Sequence, residues 1–359
     1  MATIENEMTV RYVIPGRGRL IDYPIYDAPV TVRENFRMAL LEKKAKFMPA
    51  YQHILNFTPR VLPDDEARSA VYDGGGVVRH PEGFPDMFGI VWKFIEVAGG
   101  SMVEGGSPLL EDMNDWEEKI VWPDVDSWNW PAQRALSEEY VTNPELPLVA
   151  TILNGYFERM ISMMDFEGAA LALIDEDQQD AIHAFMDRLA DLYIRIIDTL
   201  TEEYPEAVGI TIHDDWGSQR APFFSLNTAM EMLVPHMRKV ADHIHSKGLF
   251  YDMHCCGHVE ALLPAMIAAG VDCWCGQPMN DQAMLFHKYG KEITIGINVP
   301  PITKDMPLEV IKARAKAFAE EFMEPGAVGM FGFNTTVETP VFYEYLYRYS
   351  RERAEELWG

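Results

Sequence analysis

The residues best suited to chemistry lie between Gly248 and Pro278, a stretch that holds His254, His258 and all four cysteines, Cys255, Cys256, Cys273 and Cys275. Leu249–Met253 is a short apolar run with the character of a buried strand, and it ends in His254-Cys255-Cys256-Gly257-His258. Side chains two apart on a strand share a face, so His254 and Cys256 point one way and Cys255 the other. An imidazole and a thiolate converging on one point form a zinc pair. After a helical segment, Cys273-Trp274-Cys275 ends a second strand-like run, from which Cys275 could supply a third ligand. Cys255 and Cys273 read equally well as core residues, since free cysteine is commonly buried.

Other polar clusters fall at the ends of apolar runs. The run 208–213 leads into His213-Asp214-Asp215-Trp216-Gly217-Ser218-Gln219, and 271–275 into Gln277 and Pro278. Asn298 follows 293–298, and Asn334 follows 327–333. Asp214 and Asp215 also suit a helix N-cap and a solvated acid. Together with 147–153 and 249–256 these runs make six strands, most separated by an amphipathic segment of helical period (176–203, 226–247, 258–269, 280–289, 307–323, 340–356). Phe47–Leu55 and Phe88–Ile95 are earlier strand candidates, and Thr31–Lys46 is a helix with Thr31 as its cap. Eight alternating units imply a (β/α)8 TIM barrel with an N-terminal helical and irregular elaboration. Residues 1–29 read as an irregular arm, 30–357 as a single domain, and 56–88, rich in Gly, Pro and Asp, as a long loop. Catalytic groups of such barrels sit at the C-terminal ends of strands, where these polar clusters fall.

The net charge of −26 disfavours nucleic-acid phosphates and anionic lipid surfaces and leaves a neutral or basic protein partner open. With no apolar leader in the first residues, no long apolar run and no disulfide framework, a cytoplasmic protein is expected.

These residues give the chain a resemblance to the uroporphyrinogen decarboxylase superfamily, and within it to the corrinoid-dependent methyltransferase branch, over about residues 30–355. Asp86-Met-Phe-Gly-Ile-Val-Trp92 is similar to a D-x-F-G-x-x-W element, and Asp214-Asp215-Trp-Gly-Ser-Gln219 to D-D-x-G-x-Q. His254-Cys-Cys-Gly257, Leu263-Pro264, Ala269-Gly-Val-Asp272 and Gln277-Pro278 add to it. The paired-arginine segment with which the porphyrin decarboxylase grips substrate carboxylates is not found. The resemblance implies a zinc ion on His254 and Cys256, usually completed by a late cysteine near the last strand. Here the last cysteine is Cys275, and the late segment offers Asn334 instead.

The resemblance further implies catalytic roles for Asp214, Asp215 and Gln219, and a corrinoid (cobalamin) carried by a transient partner protein. Trp92, Trp216, His258, Gln277, Asn298 and Asn334 become candidates for contact with substrate or corrin; Trp122 and Trp274 are further aromatics near the expected mouth. Zinc can raise the nucleophilicity of a thiol substrate or act as a Lewis acid on an ether oxygen. A site poor in thiolates favours the second, O-demethylation of a small methyl ether. The alternatives are methylcorrinoid:thiol transfer, metal-independent decarboxylation and a non-catalytic binding subunit.

Overall fold

Leu148–Ile152 (β1) is buried at every position, as is all of Ala207–His213 (β2) but its last residue. Strands apolar on both faces pair in parallel and are covered by helices. β1 pairs with β2 from Leu148↔Ala207 to Ile152↔Ile212, and β2 pairs in parallel with Phe250–His254 (β3) from Gly209↔Phe250 to His213↔His254. Between β1 and β2 lie the helices Tyr156–Ala172 (α1) and Gln179–Glu203 (α2). Val234–Ser246 (α3) lies between β2 and β3.

The structure, a computed structural model, describes residues 4–16, 19–76, 78–97, 99–143, 145–333 and 336–359. It resolves into two compact units, one of Asn56–Asn143 with Leu148–Val271, the other of Met1–Leu55, Pro144–Pro147 and Asp272–Gly359. The first holds β1–β3. The second holds Cys273–Trp274 (β4), Thr294–Ile297 (β5) and Met330–Phe331 (β6), paired in parallel in the order β4-β5-β6. Its helices include Leu308–Glu321 and Pro340–Trp358. Parallel strands joined through helices are the α/β class expected from the alternation.

Several expectations change in detail. In the first strand candidate Ala50 forms a parallel bridge to Phe331, Tyr51–His53 makes a 3-10 turn, and Leu55 opens a short strand, Leu55–Phe57. The second candidate, 88–95, is not a barrel strand. Asp86 Oδ1 accepts from Phe88 and Ile90 N, Gly89 turns at φ +82°, and Val91–Ile95 runs antiparallel between Phe84–Pro85 and Gly100–Val103. Its exposed Val91 beside buried Trp92 fits an outlying hairpin, not a strand covered on both faces. The segment 1–29 includes an antiparallel pair, Val10–Ile14 with Tyr23–Tyr26, that buries Tyr23, Ile25 and Tyr26. Thr31 caps its helix as expected, in a capping box with Glu34, but the helix runs Val32–Glu42 and stops short of Lys46, with Lys43 left-handed at φ 54°.

Candidate active site

Everything in this section, unless stated otherwise, belongs to the unit that holds β1–β3. The register His213↔His254 brings the last residues of two neighbouring strands side by side, and their rings stack at 4.5 Å and 15°. Past the strand ends, Asp214 N donates to His254 O at 2.9 Å and Cys256 N to Asp215 Oδ1 at 2.6 Å. His254 Nε2 lies 3.2 Å from Cys256 Sγ. Cys255, 1% exposed, turns the other way, and its Sγ accepts from Trp216 N at 3.3 Å. The turn depends on Gly257, at φ +95°, where a Cβ would stand 2.3 Å from Gly217 O.

His213, Asp215 and His254 each present a ligand atom within 4.8 Å of the others, the one such group among the described residues. Burial and the neighbouring His213 lower His254 to about 3, so this imidazole is neutral and able to ligate. Burial and Asp215 push the Cys256 thiol up to about 12, so its deprotonation calls for a compensating cation. Two imidazoles and a carboxylate with a thiol beside them match the ligand preferences of zinc.

Asp214 does something else. Its carboxylate accepts from the backbone N–H groups of Tyr156 (3.1 Å), Phe157 (3.2 Å) and Glu158 (2.8 Å), the first turn of α1, and from Trp216 Nε1 (2.8 Å). It therefore pins the N-terminus of α1 to the end of β2. Burial, followed by the neighbouring Glu158, raises Asp214 to about 7 against the opposing effect of the Glu158, Trp216 and Phe157 donors. Gly155 permits the approach, since a Cβ there would be 2.5 Å from Asp214 Cβ.

The docked α1 delivers Glu158 and Arg159, which the sequence did not single out. Glu158 Oε2 lies 2.6 Å from His213 Nδ1 and Oε1 3.3 Å from Arg68 Nη1. Burial acts to raise Glu158, but His213 and Arg68 outweigh it and hold this carboxyl down at about 2. Arg68 also donates to Asn154 Oδ1 and lies over the Trp92 ring at 4.8 Å from its centroid. Fully buried Arg159 pairs with Asp64 and, at 2.8 Å, with Asp86, which also accepts from Trp92 Nε1 at 3.0 Å. Beside it Asp65 is wholly buried, neither carboxyl oxygen has a hydrogen-bond partner among the described residues, and burial raises it well above the usual carboxyl range. Asp86 and Trp92 belong to the element quoted from the sequence, whereas for Arg68, Asp64 and Asp65 the one sequence signal was that 56–88 is rich in Gly, Pro and Asp.

Trp216 is fully buried and Trp92 is 5% exposed, so each packs and hydrogen-bonds inside the protein. Gln219 is exposed on the loop after β2. His258 is tied to that loop, its N donating to Ser218 O at 2.8 Å and its ring lying 3.2 Å from Arg220 O. Cys275, Gln277 and Asn298 belong to the other unit. There Cys275 Sγ covers Gly296, Gln277 O accepts from Asn280, and Asn298 Oδ1 is buried against Gly332 with no hydrogen-bond partner among the described residues. Asn334 lies outside the described residues.

No curated protein sequence matches the chain. Among solved structures it is similar to a methyltransferase from Methanosarcina mazei, at 16% identity and a TM-score of 0.57, covering 90% of this chain and 98% of that one. This likeness shows a shared fold. A sugar phosphate isomerase/epimerase from Parabacteroides distasonis (10% identity, TM-score 0.30, 63% and 82% covered) is too distant to bear on the fold or the site. The sequence profile of the uroporphyrinogen decarboxylase (URO-D) family matches residues 130–342, more than half of the chain and inclusive of β1–β6. The chain belongs to the uroporphyrinogen decarboxylase family.

Proposed function

We propose that this protein is a zinc-dependent methyltransferase that moves a methyl group between a small methylated substrate and the cobalt of a corrinoid carried by a partner protein. The favoured direction is O-demethylation of a methyl ether. One observation carries the reading: His213, Asp215 and His254 converge at the ends of neighbouring parallel strands, with Cys256 Sγ 3.2 Å from His254. Zinc bound there would supply Lewis acidity toward an ether oxygen, and reduced corrinoid the nucleophile that accepts the methyl. The chain's own part is to hold the donors. β2 and β3 fix the two imidazoles, and the Cys256 N–H fixes Asp215. A set with at most one thiolate suits an ether oxygen better than a thiol substrate.

Decarboxylation of a tetrapyrrole, in keeping with the family profile, is the second reading. It would use Asp214 or Asp215 to hold pyrrole nitrogens, yet the Asp214 carboxylate already serves four N–H donors of its own chain. Among the described residues no helix is long and apolar enough to cross a membrane, and the cysteines are free, features compatible with a cytoplasmic place. The test is methyl transfer to a reduced corrinoid protein, screened over methoxylated aromatics, methylamines and methyl thioethers. Transfer from a methyl ether supports the reading; tetrapyrrole decarboxylation by the metal-free protein would replace it.

A further inference from the structure

The inference that follows rests on the reading just given and concerns how the cation's ligands are held. His213 has two ring nitrogens, and the protein decides which of them is available to a metal. Nδ1 lies 2.6 Å from Glu158 Oε2. An ionised carboxylate only accepts hydrogen bonds, so in the neutral ring the proton sits on Nδ1 and the lone pair on Nε2.

Glu158 is itself immobilised. Its backbone N is bound by Asp214 Oδ1 at 2.8 Å, its second oxygen lies 3.3 Å from Arg68 Nη1, and its side chain is 10% exposed. Arg68 is braced in turn by the face of Trp92 and by Asn154, a residue held at φ +59° two positions before α1 begins at Tyr156. A non-glycine residue in that conformation costs free energy and persists where its surroundings over-determine it. Asn154 shows that surrounding directly, since its side chain bridges Arg68 and Asp64 and its carbonyl accepts from Tyr193 Oη.

We propose that His213 is a ligand of the cation, in place of a late cysteine, and that Glu158, clamped by Arg68, is the residue that positions it. Carboxylates that hold the distal N–H of a ligating histidine fix its tautomer and ring orientation and raise its basicity. The resulting set is His213, Asp215 and His254, with Cys256 as the single sulfur.

The test uses the full chain loaded with Zn2+ or Co2+, with affinity read by chelator competition and ligand geometry by the visible spectrum of the Co2+ form. Glu158→Gln should weaken binding by about 10–100-fold and alter the Co2+ spectrum of the folded variant. His213→Ala should weaken binding at least as much. Because Glu158 acts through His213, adding Glu158→Gln to His213→Ala should change nothing further. If Glu158→Gln fails to fold, Arg68→Met releases the clamp while leaving Glu158 and His213 in place, and should again weaken binding and alter the spectrum. A Glu158→Gln or folded Arg68→Met protein with wild-type affinity and spectrum would overturn the proposal, as would additive effects in the double variant. A wild-type chain that takes up neither cation overturns the functional reading and this proposal with it, whereas uptake indifferent to Glu158 overturns this proposal alone.

Discussion

Cys255 and Cys256 are sequence neighbours in opposite environments, one sealed against Trp216 and the other 3.2 Å from His254. Cys256→Ser should therefore cut the zinc content of the purified protein well below one per chain, and Cys255→Ser should leave it unchanged. The reverse pattern in elemental analysis would mean that the donor set is misassigned. The His-x-Cys pair was legible as a short local spacing, although β3 ends at His254 and it is the turn at Gly257, with the Cys256 N–H bound to Asp215, that sets the thiol beside the imidazole. Asp214 was not legible in the same way, because its neighbour Asp215 has the same chemistry and only folding assigns one to the helix end and the other to the cluster. Asp214→Ala strands four buried N–H donors and should destabilise the protein by at least about 2 kcal/mol, seen as a lowered unfolding midpoint. An unchanged midpoint would return Asp214 to a purely catalytic role.

The element that sequence reading missed is α1, which carries both Glu158 and Arg159. Tyr156–Ala172 lacks a polar face: Tyr156, Phe157, Met160, Met163 and Met164 are all buried, and the helix is interrupted at Asp165 (φ 58°). Without amphipathic contrast the 3.6-residue period is faint. Phe88–Ile95 failed for the opposite reason, since its apolar run conceals the Asp86 turn that sends it out into a hairpin. Pairings such as Arg159 with Asp64 join residues far apart in sequence and leave no local trace. The loop 56–76 is closed by another such pair: Arg60 grips Asp73 through Nε at 2.7 Å and Nη2 at 2.9 Å, with Gln133 and Gly75 N adding donors. Burial would raise Asp73, but these donors hold it below the usual carboxylate range. A depressed folded-state pKa stabilises the protein above the unfolded value of about 4, and that stabilisation fades as pH falls through the folded value. Asp73→Asn should thus unfold at a lower temperature than wild type at pH 7, with the difference shrinking as pH falls below about 4. A gap that is constant with pH would show that the ion pair carries no stability.

For the whole chain the dominant physical quantity is its charge of −26. A corrinoid carrier with a complementary basic patch would be steered toward such a surface, so its association rate should fall as salt rises from about 50 to 500 mM. Stopped-flow rates insensitive to salt would rule out electrostatic guidance. The parallel α/β architecture and the six late strands were legible because alternation at that scale is a property of whole segments and tolerates local error. The proposed function requires that a cation held at the ends of β2 and β3 make methyl transfer possible. Its most direct measurement is the rate at which a reduced corrinoid protein is methylated by a methoxylated aromatic, with zinc-loaded, chelator-stripped and zinc-restored protein compared. Transfer should be lost on stripping, regained with zinc, and absent from His254→Ala under every condition. Undiminished transfer by the stripped protein, or by His254→Ala, would contradict it.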